Sequence, residues 1–227
     1  MGWICKKSEK TLYFLAYMWY NNKRESEVGV LTKTEYIEKM IENNNGYLFT
    51  KDISEYGISK SYLSEFVKKR GLERVAHGVY IDADTWYDEL YILSLRNSKA
   101  VFSHETALYI HGLTEREPFE THVSVPYAYN AKHLRDKEVC VHQVKDDLYE
   151  MGLTEAETNC GNRVAVYDLE RTVCDMVKTR DKKDPQMFLY AIKEYSKLKN
   201  KNIVNLMRYA ERMGVENDVR MYMEVLL

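Results

Sequence analysis

The sequence contains few of the residues that mark disordered or disulfide-bonded proteins. Its 227 residues include three prolines, ten glycines and four cysteines, and no two cysteines form a C-x-x-C pair. So few prolines and glycines argue against long disordered tracts. The cysteines have no zinc-ribbon spacing, and no secretory signal supports disulfide formation. We therefore expect reduced thiols and a cytoplasmic protein.

Motifs of several enzyme classes are also missing. There is no glycine-rich phosphate loop, no G-x-S-x-G, no H-E-x-x-H and no Glu-x-Lys, and the one Asp-x-Lys, at Asp181, lies in a charged loop. A nuclease needs carboxylates and a lysine gathered around metal ions, and no such group is apparent. The sequence thus predicts a protein that is not an enzyme and has no catalytic residues and no cofactor.

Residues 1–30 are interpreted as an N-terminal extension. Basic residues precede the apolar run Leu12–Tyr20, which imitates a signal peptide. The run is too short to span a bilayer and no small-residue cleavage site follows it. We favour a helix that packs on the body over an element at the membrane surface, and an upstream start codon wrongly chosen is a third explanation. No membrane role is expected.

Charge is distributed unevenly along the chain. The net charge is −2, but residues 1–81 carry 13 Lys/Arg and 10 Asp/Glu, a charge of +3, which leaves −5 for residues 82–227. The length allows two modest domains. A basic first part and an acidic second part suit a DNA-binding domain joined to a domain with another task.

The stretch from Thr50 to Ile81 predicts a winged helix-turn-helix. Thr50 is the expected cap of a first helix, Gly57 supplies the left-handed turn, and Ser59 caps a second helix that Gly71 closes. Two short strands should follow, turning near His77. With a helix from Thr32 or Thr34 and a strand at Tyr47–Phe49, this unit is expected to span residues 31–82.

In such a unit the second helix enters the DNA major groove and the wing contacts the backbone. Between Ser59 and Ile81 there are five Lys/Arg and two Glu, and phosphate neutralisation supplies most non-specific affinity. The expected DNA-binding residues are Ser59, Lys60, Ser61, Tyr62, Ser64, Lys68, Lys69, Arg70, Arg74 and His77. A helical hairpin that docks a protein through a solvated basic face is the alternative.

Residues 83–227 predict a mixed α/β domain. A helix capped by Asp84 or Thr85 is expected to reach Leu95, and a further helix should run from Ser103 to Leu113. A small sheet is expected from Ala100–Phe102, His122–Pro126, Val139–Val144 and Arg163–Tyr167. Helices should then fill the chain from Leu169. The fold class is therefore α+β: a winged helix-turn-helix, then a domain with a small sheet and a helical C-terminal part.

Two groups of ionisable residues in this domain are considered as candidate functional sites. His104 and His111 lie seven residues apart, on one face of a helix, and a metal site would need a third ligand such as His122 or His142. Packing is the favoured role, and no metal is expected. Asp168 is predicted to cap a helix in which Arg171 pairs with an acidic residue four positions on.

Several segments together resemble the AbiEi-like family of antitoxins and transcriptional regulators, which belong to type IV toxin–antitoxin systems of abortive infection. The matching segments cover Leu31 to the C-terminus, in order: Gly57-Ile58-Ser59, Gly71-Leu72-Glu73-Arg74-Val75, Gly78-Val79-Tyr80, Ser103-His104-Glu105-Thr106-Ala107-Leu108, His111-Gly112-Leu113 and Asp168-Leu169-Glu170-Arg171-Thr172-Val173-Cys174-Asp175. The resemblance implies a bacterial autorepressor that binds double-stranded DNA at its own operon. It also implies an antitoxin of a phage-defence system that counters a nucleotidyltransferase-like toxin, with or without direct contact between the two proteins.

A single winged helix reads few bases, so we expect a homodimer or paired binding to an inverted repeat. Two other functions stay open. The first is an enzyme acting on nucleic acid that uses the winged helix for targeting. The second is a protein-docking adaptor.

Overall fold

The computed structural model describes residues 31–135, 139–182 and 184–226. The predictions for residues 1–30 lie outside these ranges. The described chain has a mixed α+β fold with two small sheets. One compact unit contains residues 31–74 and 78–84, and the other contains residues 75–77 and 85–226. None of the described helices is long and apolar enough to cross a membrane.

The first unit contains three helices and a sheet of order β1-β3-β2, whose strand β2 continues into residues 75–76. In chain order its elements are α1 (Lys33–Asn43), β1 (Tyr47–Phe49), α2 (Thr50–Glu55), α3 (Lys60–Arg70), β2 (Glu73–Ala76) and β3 (Val79–Ile81). The predicted strand at Tyr47–Phe49 is confirmed, and it pairs with the hairpin through Tyr47 with Ile81 and Phe49 with Val79. Apolar faces of all three helices form the core.

One helix cap in this unit differs from the prediction. The helix α2 begins at Thr50 itself, after Phe49, and no side chain caps it. The prediction for α1 is confirmed, because Thr32 and Glu35 form a reciprocal capping box there. Such a box satisfies two backbone donors that a helix start would otherwise leave open.

The second unit is built on a five-stranded sheet of order β6-β5-β4-β8-β7. Its elements as far as β8 are α4 (Glu89–Arg96), β4 (Val101–Phe102), α5 (His104–Ile110), β5 (Thr121–Pro126), α6 (Lys132–Arg135), β6 (Val139–Val144), α7 (Asp146–Tyr149), β7 (Leu153–Glu157) and β8 (Arg163–Tyr167). The strands β5 and β6 are parallel, as are β4 and β8, whereas β4–β5 and β7–β8 are antiparallel.

Helices complete the second unit after the sheet. They are α8 (Leu169–Thr179), a 3₁₀ turn (Arg180–Lys182), α9 (Pro185–Lys197), α10 (Ile203–Met213) and α11 (Glu216–Leu226). Their apolar faces, together with Leu108 and Leu113, form a core separate from the one that covers the sheet. The expected helical C-terminal part is thus confirmed.

The start of α4 also differs from the prediction. The helix begins at Glu89, where the Asp88 side chain accepts a hydrogen bond from the Tyr91 amide at 3.0 Å. Asp84 and Thr85 therefore do not cap it. Trp86, expected inside the helix, precedes it with 86% of its surface exposed.

Candidate nucleic-acid interface

The exposed side of α3 carries four of the residues predicted to bind DNA. Lys60, Ser61, Ser64 and Lys68 are all exposed. Positions 60, 64 and 68 follow one another at intervals of four, so their side chains form a row along the helix. The opposite side of the helix is buried in the core of the first unit. The exposed side of α3 therefore carries small and basic side chains together with one carboxylate, Glu65.

The start of α3 is fixed by the turn that precedes it. Gly57 has a φ of 68°, in the left-handed region that residues with a Cβ enter at a cost. Ile58 is buried directly after it. The Ser59 hydroxyl then accepts a hydrogen bond from the Tyr62 amide at 3.3 Å. This turn places the N-terminal residues of α3 at the surface.

The hairpin β2–β3 turns at His77 and Gly78, as the sequence predicted. Gly78 has a φ of 70°, and its carbonyl oxygen accepts a hydrogen bond from the Thr50 amide at 2.8 Å. A Cβ added to Gly78 would lie 2.5 Å from the Thr50 hydroxyl oxygen. Arg74 and His77 are exposed on this hairpin.

Two of the residues predicted to bind DNA also make contacts within the first unit. Arg70 donates to Asp82 at 2.7 Å and lies 3.6 Å from Glu38. The Tyr62 hydroxyl lies 2.7 Å from the Thr34 hydroxyl and the ring is half-buried. Both side chains connect α3 to its neighbours in the first unit. Arg70 is exposed despite these contacts, as is Lys69 beside it near the end of α3.

The structure separates the two histidines that were weighed as one metal site. His104 is the first residue of α5, whereas His111 follows the helix and its Nε2 lies 2.7 Å from the Tyr167 carbonyl oxygen. His104 instead stacks on His142, with ring centroids 3.7 Å apart. His142 also lies near His122 and Cys140, and the possible metal-ligand atoms of these three residues are within 4.8 Å of one another.

Sequence reasoning did not assemble this histidine–cysteine group. Cys140 and His142 are two residues apart, which places them on one face of a strand. This spacing could have predicted that the two side chains lie close together. The sequence could not predict the register of β6 against β5, because tertiary packing determines how two parallel strands align.

The acidic cluster at the start of α8 has a structural role, as predicted. Asp168 caps the helix by accepting from the Arg171 amide at 2.8 Å, and Arg171 pairs with Asp175 at 3.2 Å. Glu170 accepts from the Tyr195 hydroxyl and the Asn202 amide. Burial raises the pKa of Asp168, while its hydrogen bond from the Arg171 amide acts in the opposite direction. These contacts hold α8, α9 and α10 together.

The chain is similar in fold to a solved protein of Mycobacterium tuberculosis, RV2827C. The TM-score is 0.52 at 11% sequence identity, over 86% of this chain and 82% of that chain. At this identity the similarity concerns the fold alone. No protein-family model matches the sequence, and no curated protein matches it.

Proposed function

We propose that residues 31–82 are a winged helix-turn-helix that binds double-stranded DNA and that the chain is a transcriptional regulator. The observation that carries this proposal is the exposed row of Lys60, Ser64 and Lys68 on α3, with Ser61 beside it. The row contains no carboxylate. Short polar and basic side chains suit an approach to base edges and phosphates.

In the proposed complex α3 enters the major groove from its N-terminal end. Lys60 and Ser61 then face base edges, because the first turn of a recognition helix is the part that reaches the groove floor. Lys68 and Lys69, about two turns further along, face phosphates. The wing places Arg74 against the neighbouring backbone, with His77 beside it. Arg70 is exposed beside Lys69 and would face phosphate as well, while the half-buried Tyr62 would lie at the edge of the contact surface.

Binding as a homodimer, or in pairs, follows from the small size of the recognition surface. One short helix and a wing read too few base pairs for useful selectivity in a genome, so regulators of this type act on repeated half-sites. We propose an inverted repeat upstream of the chain's own gene as the target.

The second unit is proposed to act as an antitoxin in the bacterial cytoplasm. Support comes from the segments that resemble the AbiEi-like family. Leu108, Leu113, Val173 and Cys174, which belong to three of those segments, pack in one core. We propose that this unit counters a nucleotidyltransferase-like toxin encoded beside it, as part of a phage-defence system.

Footprinting on the DNA upstream of the gene tests the regulator. The full chain should protect two related half-sites, and a shuffled duplex of the same composition should compete poorly. Equal competition by the shuffled duplex would overturn sequence-specific regulation and leave the docking adaptor as the explanation.

Co-expression with the adjacent reading frame tests the antitoxin separately. If that frame is toxic, the chain should restore growth, and a Lys60→Ala/Lys68→Ala variant should restore it equally, because DNA binding is not required. A toxic frame that the chain does not neutralise would contradict the antitoxin and leave the regulator intact.

A further inference from the structure

Three side chains of types that can bind metal ions lie on one face of the sheet in the second unit. The parallel register of β5 and β6 pairs His122 with Cys140 and Ser124 with His142. Paired residues of neighbouring strands project to the same side, and residues two apart share that side. His122, Cys140 and His142 therefore converge.

Two distances within the group are close to those expected around a tetrahedral zinc ion. His122 Nδ1 and His142 Nε2 are 3.0 Å apart, and Cys140 Sγ lies 3.6 Å from the same His142 nitrogen. With Zn–N bonds of about 2.0–2.1 Å and Zn–S bonds of about 2.3 Å, a tetrahedral ion separates two nitrogens by about 3.3 Å and a nitrogen from a sulfur by about 3.6 Å. The three donor atoms lie within 4.8 Å of one another.

A buried carboxylate orients one of these histidines. Glu105 Oε2 lies 3.1 Å from His122 Nε2, and both side chains are about nine-tenths buried. When Nε2–H donates to the carboxylate, the lone pair of Nδ1 faces His142 and Cys140. Metal-binding histidines in proteins are commonly held by a carboxylate in this manner.

The second histidine is held by stacking. The ring of His104 lies on that of His142, and His104 Nδ1 is 3.0 Å from the Ser103 hydroxyl, which accepts from Ser124. His104 has a φ of 51°, in the left-handed region that few residues with a Cβ adopt, although histidine enters it more often than most. The stacked pair thus restricts the direction in which His142 points.

We propose that His122, Cys140 and His142 bind a divalent metal ion of the zinc class, with Glu105 as the positioning residue of His122. Imidazole and thiolate donors favour zinc-class ions over magnesium or calcium. Three protein ligands leave a fourth position for water or another ligand. On binding, the Cys140 thiol releases its proton and His142 takes the tautomer protonated on Nδ1, so the ion replaces the hydrogen bond between the two histidines.

Titration of the metal-free full chain with Co²⁺ and then Zn²⁺ tests the proposal. One Co²⁺ per chain should bind with a sulfur-to-cobalt charge-transfer band, and Zn²⁺ should displace it. Cys140→Ser should lose the band, whereas Cys160→Ser, which alters an exposed free thiol, should keep it. Glu105→Gln should keep the stoichiometry and weaken affinity by about 10–100-fold.

The wild-type titration tests the proposed metal site even if a variant fails to fold. Absence of the band in the wild-type protein, or its survival in Cys140→Ser, would overturn the proposal. The Lys60→Ala/Lys68→Ala variant should bind the metal as the wild type does, because the site does not depend on DNA binding.

Discussion

At the scale of single residues, Arg171 shows how a charged side chain is kept inside the protein. It is 1% exposed, and its guanidinium pairs with Asp175 and donates to the carbonyl oxygens of Leu148 and Met151. It also lies over the Tyr167 ring. A buried charge is tolerated when its donors are satisfied in this way.

Replacing Arg171 with Ala should lower the free energy of unfolding by about 3–5 kcal/mol, because Asp175 and two carbonyl oxygens lose their buried partner. Urea denaturation followed by circular dichroism measures this loss. Arg163→Ala is the matched control, since the ion pairs of Arg163 are exposed and its removal should change stability by at most about 0.5 kcal/mol. Equal losses in the two variants would contradict the role given to Arg171.

The sequence predicted some residue roles and not others, for physical reasons. The cap at Asp168 and the pair of Arg171 with Asp175 are local, since three or four positions on a helix bring side chains together. The internal pairing of Arg70 with Asp82 and the approach of Cys140 to His122 join residues that only the fold brings close. The spacing of these residues along the chain does not predict such contacts.

At the scale of elements, boundaries were predictable where two local signals agreed. The helix α8 begins after its Asp168 cap, as predicted, and has a strongly apolar face. The strand β7 was missed, because most of its side chains are exposed and no apolar alternation marks it. Its extended conformation is stabilised by antiparallel pairing with β8.

Replacing Leu63 with Ala should cost about 2–5 kcal/mol, because this side chain is 8% exposed in the small core of the first unit and its loss leaves a cavity. Phe66→Ala should behave in the same way. Thermal unfolding measures both, with the exposed Glu65→Ala as the control on the same helix. If both core variants melt like the parent, the assignment of the buried face of α3 is wrong.

Replacing Gly78 with Ala should distort the wing and weaken DNA binding. The new Cβ would meet the Thr50 hydroxyl, and its positive φ would add about 1–2 kcal/mol of strain. Adding Thr50→Ala removes the clash but not the strain, so the double variant should recover part of the affinity. Fluorescence anisotropy with a labelled duplex provides the measurement, and full affinity in Gly78→Ala would show that the wing does not contribute.

At the scale of the whole molecule, the chain has a small net charge of −2 but a basic first part. Such a small net charge gives little long-range attraction to DNA, so the proposed DNA binding requires local contacts on α3 and the β2–β3 hairpin. The metal site proposed for the second unit is a separate property with its own test.

The salt dependence of DNA binding tests the central claim most directly. Affinity for the upstream duplex should fall with salt, and Lys68→Ala/Lys69→Ala should reduce the slope of log K against log salt by about two, one for each lost phosphate contact. Lys193→Ala, an exposed lysine of α9, should leave the slope unchanged. An unchanged slope in the double variant would contradict binding through α3.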